Sequence, residues 1–168
     1  MRILSTDRLI IRELDAEVDA DFINRLLNSE KFIQYIGDRN VRSSEDAHDF
    51  IRDRYRKSYE DHGYGLYCVE LKDGTQVGMC GFVRRDTLPA PDIGFAFLPE
   101  FEGRGYGFES AAAMMTYGRD QLGFSEVLAI TTIDNEASGK LLEKIGFEFD
   151  KNIDTPEGET LKLFRAEM

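Results

Sequence analysis

The feature that most constrains this 168-residue chain is a set of alternating glycines, Gly103, Gly105 and Gly107, between a short apolar run and a long helical pattern. Asp92 to Leu98 reads as a strand, and Tyr106 to Leu122 as a helix with Phe108, Ala111, Ala112, Met115 and Leu122 inward. Glycines at a helix entrance let the backbone approach a ligand closely. The first-turn N–H groups have no partner inside the helix, and with the helix dipole they suit an anion. Arg104 adds a positive charge there, in a chain whose formal net charge is -11. The same glycines also suit a plain chain reversal, and spacing alone does not separate the two readings. Two phosphate motifs fail. Gly139-Lys140 is followed by Leu141 rather than Ser or Thr, and the third glycine of a dinucleotide fingerprint would fall on Phe108.

The rest of the chain alternates helical and strand patterns. Arg8 to Leu14 reads as a first strand. Asp15 is a candidate cap for a helix whose apolar face is Val18, Phe22, Leu26 and Leu27. A short helical piece, Glu30 to Ile36, stops at Gly37. Ser43 with Asp46 makes a capping-box-like start, and Ala47, Phe50, Ile51, Tyr55 and Tyr59 follow at helical spacing to Gly63. Tyr64 to Lys72 and Gln76 to Arg85 flank an Asp73-Gly74 hairpin turn. Glu126 to Ile133 reads as a strand, and Asn135 to Ile145 as a helix with Ala137, Leu141 and Ile145 on one face. Strands near Phe147 to Ile153 and Glu159 to Glu167 close the chain. Gly123-Phe124 and Gly146-Phe147 are matching helix stops. No repeat or linker interrupts the order, so one domain over residues 1–168 is expected, of mixed α/β (α+β) class.

Composition narrows the function. With 32 Asp and Glu against 21 Lys and Arg, the surface repels a phosphate backbone, which argues against nucleic acid. It favours cationic partners, although solubility alone also explains it. No apolar run is long enough to span a membrane, and Met1 to Arg12 is too polar for a secretion signal, so a cytoplasmic location is expected. The hairpin register sets Cys68 opposite Met79 and Cys80 opposite Tyr67, on opposite sheet faces, which excludes a disulfide. Two Cys and two His, His48 and His62, show no metal-ligand spacing, so no metal is expected.

Three blocks together carry a family resemblance. Pro99-Glu100-Phe101-Glu102-Gly103-Arg104-Gly105-Tyr106-Gly107 with Glu109 resembles the acetyl-CoA pyrophosphate loop of the GNAT superfamily, in its ribosomal-protein N-terminal acetyltransferase (RimJ/RimL-type) branch. Asn135, Ser138, Leu141, Glu143, Lys144, Gly146 and Phe147 match that branch's second block. Thr6-Asp7-Arg8-Leu9 with Ile11-Arg12 matches its usual start. Two positions depart from the pattern. Glu102 stands where Gln, Arg or an aromatic is usual. Leu142 stands where many members carry a tyrosine that protonates the leaving thiolate.

The resemblance implies a GNAT-like fold, with a mostly antiparallel mixed sheet splayed between two parallel strands and helices on both faces. It implies acetyl-CoA as co-substrate. Gly103, Arg104, Gly105, Tyr106, Gly107 and Phe108 would take the pyrophosphate, Asn135 the pantetheine arm, and a backbone N–H at Phe97 or Leu98 the thioester oxygen. Ser138 is the candidate donor to the thiolate, and Asn135 and Ser138 equally suit a helix cap and a packing residue. The acceptor it implies is a primary amine, such as a basic protein N-terminus. A small-molecule amine and a non-catalytic acyl-CoA-binding module are the alternatives. Glu70 and Asp92 are base candidates that would need burial to raise their pKa; as strand-associated carboxylates they are expected to be solvated. Tyr35, Tyr55, Tyr59, Tyr64 and Tyr67 line an acceptor site or form core.

Overall fold

A computed structural model describes residues 1–168. The strands are β1 (Arg2–Ser5), β2 (Leu9–Arg12), β3 (Leu66–Leu71), β4 (Gln76–Val83), β5 (Asp92–Phe97), β6 (Glu126–Thr132), β7 (Glu148–Asp154) and β8 (Thr160–Glu167). They form one sheet in the order β1-β2-β3-β4-β5-β6-β8-β7. Only β5 and β6 run parallel. The helices are α1 (Ala20–Leu27), α2 (Glu30–Tyr35), α3 (Ser44–Phe50), α4 (Lys57–His62), α5 (Tyr106–Asp120) and α6 (Glu136–Lys144). One apolar cluster packs α1 and α3 against Cys68 and Met79. A second packs α5 against Val69, Cys80 and Phe82 on the opposite face. At Gly118 the helix backbone comes so close to Phe82 that a Cβ would sit 2.9 Å from its ring. No helix is long and apolar enough to cross a membrane.

The hairpin register is as the alternation requires. Tyr67 faces Cys80 and Cys68 faces Met79, with both thiols free and buried. Ser43 Oγ caps α3 by accepting from the Asp46 N–H at 3.0 Å, while the Asp46 carboxylate reaches back to the Arg42 N–H.

Several local expectations are corrected. The opening holds two strands rather than one, because the chain doubles back between Ser5 and Leu9 and β1 pairs with β2. Asp15 caps a turn before α1, accepting from the Glu17 and Val18 N–H groups at 2.9 Å, and Val18 is 68 % exposed. Between α3 and α4 the rod widens into a π turn, Ile51–Arg56. The buried face of α5 is Ser110, Ala111, Met114, Met115 and Gly118, with Phe108 and Ala112 only half-buried. In α6 the buried residue is Leu142, at 1 % exposure, and Ala137 faces solvent. The shifts in α5 and α6 are about one residue of phase, which apolar spacing in a helix does not resolve.

A buried polar knot ties the α1 layer to the sheet. Asp19, fully buried ahead of α1, accepts two bonds from Arg12 on β2 at 2.8 Å. It also accepts from the Asp15 N–H at 2.7 Å and from Gln76 Nε2 on β4 at 2.6 Å. Burial pushes the Asp19 carboxyl up, but these bonds outweigh it and hold it below the usual range. Breaking such a pair strands a charge in the interior. Asp19→Ala is therefore expected to lower the free energy of unfolding by about 3 kcal/mol in a urea titration.

Candidate active site

The site is built where two strands part. β5 is laddered to β4 along its length, from Val83–Asp92 to Gly78–Phe97. β6 is laddered to β8 from Glu126–Glu167 to Thr132–Leu161. Between β5 and β6 there is one bridge, Asp92–Leu128, with the Leu128 N–H donating to Pro91 at 2.9 Å. Beyond it the strands separate. The Leu98 N–H donates to the Val77 carbonyl at 2.9 Å. Alternation along an antiparallel ladder then turns the Phe95 and Phe97 N–H groups toward the gap. Of the two thioester donors offered by the sequence, only Phe97 presents its N–H there. Leu98 is committed to the sheet, with its side chain buried against the α1 layer.

The chain leaves β5 through a single 3-10 turn, Pro99–Phe101, and reaches α5 through the glycines. Gly103 and Gly105 have φ of +75° and +83°, and Gly105 immediately precedes α5. Only glycine adopts this region without strain, so the loop shape requires them. Gly107 lies inside the first turn, where a Cβ would make ordinary contact with Leu141 of α6 and Phe97 of β5. Arg104 is exposed and stacks over Phe101 at 5.7 Å. Tyr106 and Phe108 are half-buried. The Glu102 carboxylate is 2.6 Å from Lys31 Nζ on α2, so its charge is answered away from the helix entrance.

A clamp of side chains orients this loop. Glu109 of α5 accepts from Thr6 Oγ1 at 2.5 Å, the Arg8 N–H at 3.0 Å and Arg8 Nε at 2.7 Å. Arg8 Nη1 donates to the Arg104 carbonyl at 3.0 Å, and its guanidinium stacks on Tyr106 at 4.6 Å. Arg8 is thus a second cation at the helix entrance. Reading the sequence as separate blocks overlooks it, because Thr6-x-Arg8 and Glu109 explain each other only in three dimensions.

Asn135 does serve as a helix cap, its Oδ1 accepting from the Ser138 N–H at 3.3 Å. Its Nδ2 and the Ser138 hydroxyl make no hydrogen bond to protein and are free for a ligand. Leu142 is core, packed in the cluster that holds Phe147 and Phe164. Glu70 is ion-paired with Arg12 at 3.1 Å. Asp92 is not solvated as expected. It lies 1 % exposed at the bridge itself, paired with Arg85 Nε at 3.0 Å. Burial pushes its carboxyl up to about 6 against the pull of Arg85. Tyr59 and Tyr67 stack in the interior, and the Tyr59 hydroxyl donates to the Leu66 carbonyl, so both are structural. No group of His, Cys, Asp and Glu could hold a metal ion.

The sequence profile of the acetyltransferase (GNAT) domain matches residues 8–148. The chain belongs to the GNAT acetyltransferase family. It is 31 % identical over 148 residues to the uncharacterized N-acetyltransferase YoaA of Bacillus subtilis, covering 87 % of this chain and 82 % of that protein. The fold matches an acetyltransferase from Agrobacterium tumefaciens with a TM-score of 0.82, at 21 % identity over 98 % of this chain and 94 % of that one. It also matches a Salmonella typhimurium acetyltransferase that modifies the N-terminal serine of a ribosomal protein. There the TM-score is 0.84 at 16 % identity, covering 100 % of this chain and 99 % of that one. The protein is an acyltransferase, and its family uses acetyl-CoA.

Gly105→Val puts bulk where a Cβ already lies 3.2 Å from the Arg8 guanidinium. Gly123, with φ of +72° and open space around it at the far end of α5, carries the same backbone demand away from the site. Calorimetry is expected to show coenzyme A affinity falling about tenfold or more for Gly105→Val and unchanged for Gly123→Ala.

Proposed function

We propose that this protein transfers the acetyl group of acetyl-CoA to a primary amine, the α-amine of a protein or peptide N-terminus. The observation that carries the reading is the parting of β5 from β6 beside a glycine-lined helix entrance held by Arg8 and Glu109. The residues fit the donor. The N–H groups of Gly105 to Phe108 start a helix of fifteen residues, with Arg104 and Arg8 beside them, and this set suits a pyrophosphate. A strand-like amide arm fits the unpaired edge of β5, as an added strand does. Asn135 Nδ2 is free to hold that arm.

Acetyl-CoA supplies a thioester that the amine attacks directly in a ternary complex. The Phe97 N–H would donate to the thioester oxygen, worth most where charge develops. The Ser138 hydroxyl would donate to the departing sulfur, the role that Leu142 has no atom to fill. The ammonium proton would leave to water before the attack.

Support for a protein acceptor comes from neighbours of the same fold that are named for ribosomal-protein α-amines. A spermidine N-acetyltransferase chimera shares the fold with a TM-score of 0.75 and 16 % identity, which keeps a small amine as the second reading. A free-thiol assay with acetyl-CoA against N-terminal peptides and small amines, with the product located by mass spectrometry, separates them. Acetyl on a peptide α-amine is expected. Turnover of polyamines alone would contradict the acceptor assignment.

One variant tests the role of Ser138. Ser138→Ala is expected to lower kcat and kcat/KM together by about tenfold, with coenzyme A affinity unchanged.

A further inference from the structure

We propose that Thr132 holds the acceptor amine during the attack, its hydroxyl oxygen accepting a hydrogen bond from one amine N–H. This deepens the acetyl-transfer reading and rests on it. Only two buried side-chain polar atoms in the chain have no hydrogen-bond partner, and they are neighbours, Thr131 Oγ1 and Thr132 Oγ1. A buried hydroxyl without a partner is destabilising, so two in succession on one strand call for a reason. Both lie on β6 beyond its one bridge to β5, where the strands part. Equal steps from Asp92–Leu128 set Thr131 level with Phe95 and Thr132 level with Ala96, one residue short of Phe97.

Strand alternation sends the two side chains to opposite faces of the sheet. β6 is laddered to β8 without a bulge from Glu126 to Thr132, so its alternation is unbroken. Val127 and Ala129 pack in the cluster that holds the α5 residues Ala111 and Met114, and Thr131 shares their face. Thr132 points to the other face. The same division holds on β5. Phe95 and Phe97 pack against the α5 cluster, and Ala96 packs against the cluster built on α1 and α3. On the face away from α5, the gap is therefore bordered by Ala96 and Thr132.

The direction of attack selects that face. An arm that adds to the edge of β5 as a strand lies in the sheet, and a thioester oxygen that accepts from the Phe97 N–H brings the thioester plane close to it. The amine then comes onto the carbonyl carbon from above or below the sheet. The helix side is filled, since a Cβ on Gly107 of α5 would lie 3.4 Å from Leu141 of α6 and 3.7 Å from Phe97. The other side presents a methyl group at Ala96 and a hydroxyl at Thr132. A neutral amine has one lone pair and two N–H bonds. With one N–H given to Thr132 Oγ1, the lone pair is aimed rather than free to turn. As the C–N bond forms and the C–S bond breaks, positive charge grows on nitrogen and this hydrogen bond strengthens. Thr132 keeps its own proton. The nitrogen loses one as the amide forms and the departing thiolate gains one, so the products are an amide and a thiol.

The probes are a serine-initiated peptide amide and spermidine, each with saturating acetyl-CoA. Thr132→Val removes the oxygen and keeps the shape of the side chain. For whichever amine wild type acetylates, kcat and kcat/KM are expected to fall together by about tenfold, with coenzyme A affinity unchanged, and Thr132→Ser to restore most of the loss. Because the hydroxyl has no partner in the fold, Thr132→Val should unfold at the same urea concentration as wild type or a higher one; a hydroxyl that held the fold together would lower it. Thr131→Val, with its side chain on the helix face, is expected to keep wild-type turnover at saturating acetyl-CoA. Wild-type rates in Thr132→Val, a loss that Thr132→Ser does not restore, or an equal loss in Thr131→Val overturns the assignment. Wild-type acetylation of either probe in that case leaves the acetyl-transfer reading standing, whereas no thiol release with either probe would overturn both.

Discussion

β5 and β6 share a single bridge, and the site depends on the ladder stopping there. Each strand is fully laddered on its outer side, β5 to β4 and β6 to β8, so parting them costs only the bonds between them. The gap-facing N–H groups of Phe95 and Phe97 then lie unpaired in the middle of an otherwise continuous sheet. Backbone donors without partners cost free energy in the interior, and such a sheet is stable only if something polar meets them. An amide-bearing arm of the donor is the natural complement, and the fold keeps that place open.

The helix entrance extends the same logic. Gly103 and Gly105 take the left-handed conformations that swing the chain from the end of β5 into α5. The clamp of Thr6, Arg8 and Glu109 fixes the first turn of α5 to the opening of the chain. Lys31 neutralises Glu102, which would otherwise oppose an anion at that turn. The buried knot of Arg12, Asp19 and Gln76 fixes the layer on the opposite face.

Much of this was legible in the sequence, and the illegible parts share a cause. The glycine loop was readable because positive φ and close approach restrict the residue type strongly. The hairpin register was readable because Asp73-Gly74 fixes the turn and strand alternation does the rest, so Cys68 and Cys80 fell on the correct faces. Arg8, Asp19 and Asp92 were not, since their roles depend on partners far away in sequence or on burial. Asp92 reads as an ordinary strand carboxylate until β5 proves to be an interior strand. Leu142 was noted for the tyrosine it replaces, and only the packing shows it to be core. The π turn at Ile51–Arg56 leaves no mark in apolar spacing, since Tyr55 and Tyr59 keep a helical interval across it.

The central claim is that the parted edge of β5 and the first turn of α5 are the acetyl-CoA site. Residue-resolved amide hydrogen exchange, with and without saturating coenzyme A, tests it most directly. The account predicts slowed exchange at Phe95, Phe97 and the first-turn amides of Tyr106 to Glu109. The Leu98 amide, already bonded to Val77, should change little. Protection that spares Phe97 and the α5 entrance while appearing elsewhere would contradict the account.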